Sequence, residues 1–163
     1  MSLRYTICFV CHRDHVLLLH RRYPPLAGFL NGVGGKLEPG ETPLACVLRE
    51  VAEETGLRLA DARFGGIVTW TGHNYEGRAG MYAYLAELPP GVPPESVPGE
   101  TEEGRLSWHP LSAVLDGLPG LVSNIPCFLG PMLAGAQPSE YRLRYDGDLL
   151  LGHTVSPLPP DAQ

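Results

Sequence analysis

The chain has 163 residues, a length that gives one compact domain a real core and leaves too little for a second. Hydrophobic residues make up 44% and charged residues 18%, which excludes a disordered chain, and no apolar run approaches the roughly 18–20 residues of a membrane span. The formal net charge of −6 argues against a surface made for nucleic-acid polymers, so any phosphate bound here must be neutralised locally, by metal ions or a few placed cations.

Leu3 to Cys11 is rich in β-branched and aromatic residues and predicts a strand, with His12-Arg13-Asp14 as a turn into a second strand over Val16 to His20. Tyr23 to Gly35 is crowded with Pro, Gly and Asn and predicts a loop. Thr42 suits a helix N-cap and Pro43 the first helical position. Leu44, Val47, Leu48, Val51 and Thr55 then recur at helical spacing as the apolar stripe, and Gly56 is the stop. Phe64 to Gly72 and Ala79 to Leu88 predict two more strands, carrying or flanked by Trp70 and Tyr75 as aromatics able to stack. Pro89 to Thr101 holds five prolines and predicts an exposed loop. Leu106 to His109 predicts a short strand, Pro110 the start of a helix, and Asn124 to Ala134 a further helix. Asp146-Gly147 is a two-residue hairpin signal between Tyr141–Tyr145 and Asp148–Leu151. The expectation is a single domain over residues 1–156 with a loose tail at 157–163. Strands with few helices between them point to an α/β sandwich rather than a doubly wound parallel sheet.

Four cysteines sit at positions 8, 11, 46 and 127. On a strand, Cys8 and Cys11 point to opposite faces, and no second pair or His cluster completes a zinc site. The expectation is separate thiols in a cytoplasmic protein with no leader segment.

The chemistry concentrates between Gly35 and Leu57. Glu50, Glu53 and Glu54 fall along one flank of the predicted helix, away from the apolar stripe. Like charges at these spacings repel by roughly 0.2–0.5 kcal/mol per pair even when exposed. Mg²⁺ or Mn²⁺ reverses that cost, because hard cations take carboxylate oxygens and bridge to phosphates. Gly32, Gly34 and Gly35 lie just upstream, where bare backbone can approach a phosphate or turn a carbonyl to a metal. Lys36 is the single lysine against eleven arginines, a compact ammonium suited to contacting a phosphate or carboxylate.

Residues 35–57 resemble the Nudix box, G-x5-E-x7-R-E-U-x-E-E-x-G-U with U aliphatic, at all nine fixed positions. The resemblance implies the Nudix fold, a mixed β-sheet sandwich flanked by helices, and hydrolysis of a diphosphate bond in a nucleotide. It implies metal ligation by Glu50, Glu53, Glu54 and the Gly35 carbonyl, with Arg49 orienting the acidic cluster. Either a carboxylate or the hydroxide left when it deprotonates a metal-bound water supplies the nucleophile. Beyond the box, Glu100, Glu102 and Glu103 follow the proline-rich loop, and Glu103 is the candidate extra ligand or base.

Most of the chain is also similar to the MutT-like branch that cleaves oxidised purine nucleoside triphosphates, 8-oxo-dGTP among them. The similarity covers Leu17 to Lys36, Glu103 to Trp108 and the closing hairpin. It implies that Asn31 reads the base through its paired donor and acceptor. Where that branch places adjacent aspartates this chain has Ser123-Asn124, and Pro25 stands at the position of an aromatic pocket wall. The expected substrate-binding set is therefore Asn31, Lys36 and Asn124. The readings beside this one are hydrolysis of ADP-ribose or nucleotide sugars, and a nucleotide-sensing domain without turnover; oligomeric state is not legible.

Overall fold

A computed structural model describes residues 3–72 and 75–159, with the side chains of 75–78 left out. The Tyr75 side chain and most of the expected 157–163 tail, from Pro160 onward, therefore lie outside the described residues. Eight strands form one mixed sheet: β1 (Tyr5–His12), β2 (His15–Arg21), β3 (Leu30–Asn31), β4 (Arg63–Gly72), β5 (Tyr75–Glu87), β6 (Gly104–Pro110), β7 (Ser139–Asp146) and β8 (Leu149–Pro157). Their order is β3-β2-β1-β5-β4-β7-β8, with β6 on β2 off this path. The pairs β1–β5 and β4–β7 are parallel and the rest antiparallel. Among the described residues three α-helices complete it: α1 (Pro43–Thr55), α2 (Leu111–Leu115) and α3 (Ile125–Leu133). None is long and apolar enough to cross a membrane.

Strand alternation divides the core into two layers. Ile7, Phe9, Cys11, Val16 and Leu18 face α2 and α3, meeting Val114, Ile125, Phe128, Leu129 and Met132. Cys8, Val10, Leu17 and Leu19 face the other way, onto Val47 and Val51 of α1. Each such large side chain, fully buried, contributes about 1.5–3 kcal/mol. Cys8 and Cys11 lie in different layers, as the strand period predicts, and all four thiols are free.

One departure from a flat sheet positions everything that follows. β1 and β2 pair only at their turn ends, Cys11 with Val16 and His12 with His15, and then diverge. Into the wedge comes the segment after β2: β3 takes the freed edge of β2, and Val33 and Lys36 bridge to Cys8 and Tyr5 of β1. The loop expected over Tyr23 to Gly35 thus contains sheet, because two diverging strands leave backbone donors and acceptors that a polar loop alone would not satisfy.

Other expectations shift in detail. Thr42 caps α1, its Oγ1 accepting from the Ala45 amide at 3.2 Å, and Gly56 ends it at φ +75°. The buried face of α1, however, is Cys46, Val47, Val51, Glu54 and Thr55, with Leu44 exposed. The proline-rich loop contains a 3-10 turn at Pro94–Ser96 and is pinned by Val92 and Val97, which pack on the α1-side core, and by the Trp108 indole donating to the Pro94 carbonyl. The last hairpin turns on Gly147-Asp148, one residue later than expected, since Asp146 pairs with Leu149.

Candidate active site

The wedge delivers Gly34 and Gly35 against β1 and beneath α1. The Thr6 amide donates to the Gly35 carbonyl at 2.8 Å, so this carbonyl faces β1, and the Cys46 thiol of α1 also lies 4.0 Å from it. A Cβ on Gly34 would overlap the Thr6 backbone oxygen, and one on Gly35 would overlap the Glu50 carboxylate. The two glycines therefore serve different neighbours: Gly34 the sheet, Gly35 a side chain of α1.

Arg49 gathers the acids. Its guanidinium makes a forked pair with Glu41, Nε to Oε1 at 2.8 Å and Nη2 to Oε2 at 2.9 Å, and Nη1 reaches Glu50 at 2.8 Å and Glu53 at 3.2 Å. Nη2 also donates to the Lys36 carbonyl at 3.2 Å, tying helix to loop, while the Lys36 ammonium side is exposed. Bidentate charge-assisted bonds are the strong kind, and the Arg49 bond holds the Glu41 carboxyl down at about 2. Glu41 was absent from the expected site set; its fixed place in the box was the available signal, but its partner lies eight residues away across a turn.

The three helix glutamates occupy three environments. Glu53 is the exposed one, with 59% of its side chain accessible. Glu50 is mostly covered, and burial raises its pKa against the opposing pull of Arg49. Glu54 is buried, accepts the Gly34 amide at 2.9 Å, and is pushed up to about 7 by burial first, with the Glu50 and Glu103 charges adding and Arg21 opposing. Glu103 is thus within electrostatic reach of Glu54. The three acids of this one flank are unequally covered, because α1 is rolled to bury its Glu54 side.

A sign follows for the metal-free protein. The folded pKa of Glu54 lies above its unfolded value, so the folded state binds the extra proton. The stability this lends is complete below about 4.5 and is lost as pH rises through about 7. With chelator present, the melting temperature is expected to fall between pH 5 and pH 8, and Glu54→Gln to flatten that fall. Identical pH profiles for the two proteins would remove Glu54 as its source.

The donor set suits a hard divalent cation: Glu50, Glu53, Glu54 and Glu103 offer carboxylate oxygens, and burial makes Glu50 and Glu54 hold protons more tightly than a free carboxylate. Among the described residues, no three His, Cys, Asp or Glu side chains already converge as a metal-binding group. Each helix glutamate is instead held by a protein donor, so a cation would draw Glu53 inward and compete with Arg49 for Glu50.

The expected base-contacting residues sit on β3 and at the residue before α3. Leu30 donates to the Gly120 carbonyl at 2.8 Å and accepts from the Val122 amide at 3.0 Å, which lays the segment before α3 beside β3. Asn31 on β3 and Asn124 at the start of α3 are thereby anchored to one framework. Asn31 Oδ1 accepts from the Gly32 amide at 2.9 Å, leaving its NH₂ unengaged by that bond, and Asn124 Nδ2 donates to the Tyr145 hydroxyl at 2.9 Å. Pro25 is exposed and Trp70 packs against the α3-side core.

Comparison with known proteins agrees with this architecture. Residues 1–125 match the NUDIX domain family model. The chain is 32% identical over 114 residues to the Nudix hydrolase YvcI of Bacillus subtilis, covering 68% of each protein. It is 32% identical over 117 residues to the NAD-capped RNA hydrolase NudC of Haemophilus influenzae, covering 70% of this chain but 42% of that protein. Among solved structures, the MutT protein of Bacillus halodurans superposes with a TM-score of 0.78 at 27% identity, over 97% of this chain and all of the other.

Proposed function

The chain belongs to the Nudix hydrolase family, which acts on pyrophosphate bonds, and we propose that with Mg²⁺ it hydrolyses a nucleoside triphosphate to monophosphate and pyrophosphate. The observation that carries this reading is the Arg49-centred acid cluster packed against the Gly34-Gly35 turn. Glu50, Glu53 and Glu54, with the Gly35 carbonyl, would hold the metal, for which Mn²⁺ would also serve. The ion would supply charge for the phosphoryl oxygens and lower the pKa of water.

The chain's own groups do the rest. Arg49 fixes Glu50 and Glu53 in register, while Glu41 fixes Arg49. Glu53 or Glu103 accepts a proton from the attacking water, the new P–O bond forms, and the P–O bond to the leaving pyrophosphate breaks. Lys36 offers a cation to the phosphate chain at the loop edge. No covalent enzyme intermediate is required.

For the base, the full-length likeness to a MutT protein supports a purine deoxynucleotide, with an oxidised one such as 8-oxo-dGTP as the finer proposal. Asn31 and Asn124 would read its edge through paired donors and acceptors. Asn31→Ala is expected to reduce discrimination between canonical and oxidised triphosphates about tenfold while changing overall turnover less. Unchanged relative rates across a nucleotide panel would make Asn31 a turn residue. The likeness to NudC favours a second reading, in which the diphosphate links two nucleotides, or a nucleotide and a sugar as in ADP-ribose. The deciding experiment is a Mg²⁺-dependent hydrolysis panel of canonical and oxidised triphosphates, ADP-ribose and dinucleoside polyphosphates.

A further inference from the structure

The Gly35 carbonyl belongs to the turn beside β1, and the Arg49 guanidinium belongs to α1. A cation shared by that carbonyl and by Glu50, which Arg49 holds, needs the two in one fixed relation. Two uncharged residues lie between them: Thr6 of β1 and Cys46 of α1. Both are buried, and Thr6 Oγ1 lies 3.4 Å from Cys46 Sγ across 40 positions of sequence.

The sulfur is the centre of a small polar node. Arg49 Nη2 donates to it at 3.7 Å, and it lies 4.0 Å from the Gly35 carbonyl. The same carbonyl accepts the Thr6 amide at 2.8 Å. Thr6 thus meets the turn twice, directly through its backbone and indirectly through its hydroxyl and the sulfur. One placement of protons satisfies every contact: the Thr6 hydroxyl and Arg49 donate to sulfur, and the S–H donates to the Gly35 carbonyl. Sulfur suits these lengths because it is large and polarizable, whereas a hydroxyl oxygen on a shorter bond would not span all three partners.

Place on the helix gives the node its leverage. Cys46 lies one turn before Arg49 and Glu50 and so neighbours both along α1. The Gly35 backbone faces the Glu50 carboxylate so closely that a Cβ there would overlap it. Cys46 therefore touches both the guanidinium that holds Glu50 and the backbone against which Glu50 packs. A cysteine that only filled space would act as a small hydrophobe among apolar neighbours. Here its contacts include polar atoms from β1, from the glycine turn and from the next turn of its own helix.

We propose that Thr6 and Cys46 are a positioning pair that fixes the Gly35 carbonyl and Arg49 relative to each other, and thereby sets how tightly the glutamate site holds a divalent cation. The inference rests on the hydrolase reading and adds to it two residues that touch neither substrate nor the reacting atoms.

The pair is tested with Cys46→Ala, with Thr6→Val (which keeps the amide) and with the double variant. The first measurement needs no turnover: Mn²⁺ binding to the nucleotide-free protein, followed by electron paramagnetic resonance. Each single change should weaken binding about fivefold, the scale of one weak hydrogen bond lost. The double variant should also lose about fivefold, since either change alone breaks the bridge. Thr6→Ser keeps the hydroxyl and should keep wild-type affinity. Val47→Ala, at a fully buried site on the same helix, controls for packing: it should lower the melting temperature and leave Mn²⁺ affinity unchanged. Unaltered affinity in Cys46→Ala, multiplied losses in the double variant, an equal loss in Val47→Ala, or a wild type that binds no Mn²⁺ would each overturn the pair. The second measurement is Mg²⁺-dependent hydrolysis of dGTP. Cys46→Ala should raise the Mg²⁺ concentration for half-maximal rate about fivefold and change KM for the nucleotide less than about twofold. A raised KM with an unchanged Mg²⁺ requirement overturns the proposal. Should the wild type hydrolyse no nucleotide, the hydrolase reading fails separately, and the Mn²⁺ result still decides the pair.

Discussion

Glu53→Gln should reduce Mg²⁺-dependent turnover by about 10²–10⁴-fold while leaving the melting temperature nearly unchanged. Its side chain is 59% exposed and makes one bond, to Arg49 at 3.2 Å. Exposed substitutions of this kind usually alter stability by less than about 0.5 kcal/mol. The isosteric amide keeps the shape and removes the charge and the proton-accepting oxygen. Steady-state kinetics beside a thermal melt separate the two effects. Turnover within a few-fold of wild type would take Glu53 out of the chemistry and leave Glu103 to accept the proton.

Adjacent glycines should fail in different ways. Gly34 has φ +152°, and an alanine there would drive its methyl into the Thr6 carbonyl oxygen of β1. Backbone cannot yield cheaply, so Gly34→Ala should cost roughly 2–4 kcal/mol of stability. At Gly35 the obstacle is the Glu50 carboxylate, the movable end of a side chain. Gly35→Ala should therefore fold with a modest loss but turn Glu50 away from its bond to Arg49, lowering kcat about 10²-fold or more. Urea unfolding and kcat measured on both proteins check the contrast. A stable, active Gly34→Ala protein would contradict the close approach of the loop to β1. A fully active Gly35→Ala protein would mean that the position of Glu50 does not matter.

Local features were legible where local chemistry produces them. The cap at Thr42, the stop at Gly56, the hairpin near Gly147 and the opposite facing of Cys8 and Cys11 each depend on a few neighbouring residues. The box spacing marked Arg49, Glu50, Glu53 and Glu54 for the same reason. Burial of Glu54 was not legible, because a helical wheel shows relative angles, while the roll of α1 depends on how Cys46, Val47 and Val51 seat on β1. Cys46 reads as a minor residue on the wheel, yet it is fully buried and contacts the Thr6 hydroxyl. Nor was the ion pair of Arg22 with Glu100 legible, since these residues meet only after β6 has paired with β2. The parallel partners of β1 and β4 come from distant parts of the chain, and no turn signal announces them.

The divergence of β1 from β2 has a consequence for the order of assembly. A hairpin of these two strands could form early from adjacent sequence, but its register is shared at only the turn end. The remainder of β1 must wait for Val33 and Lys36 on one side and for Met81 to Glu87 on the other. Closing loops of that span is slow compared with local structure. A nascent chain can thus carry Glu50, Glu53 and Glu54 on a formed α1 and still lack the turn against which they are arranged. Competence to cleave a pyrophosphate bond arrives with completion of the sheet, and a half-made chain holds acids without the means to aim them.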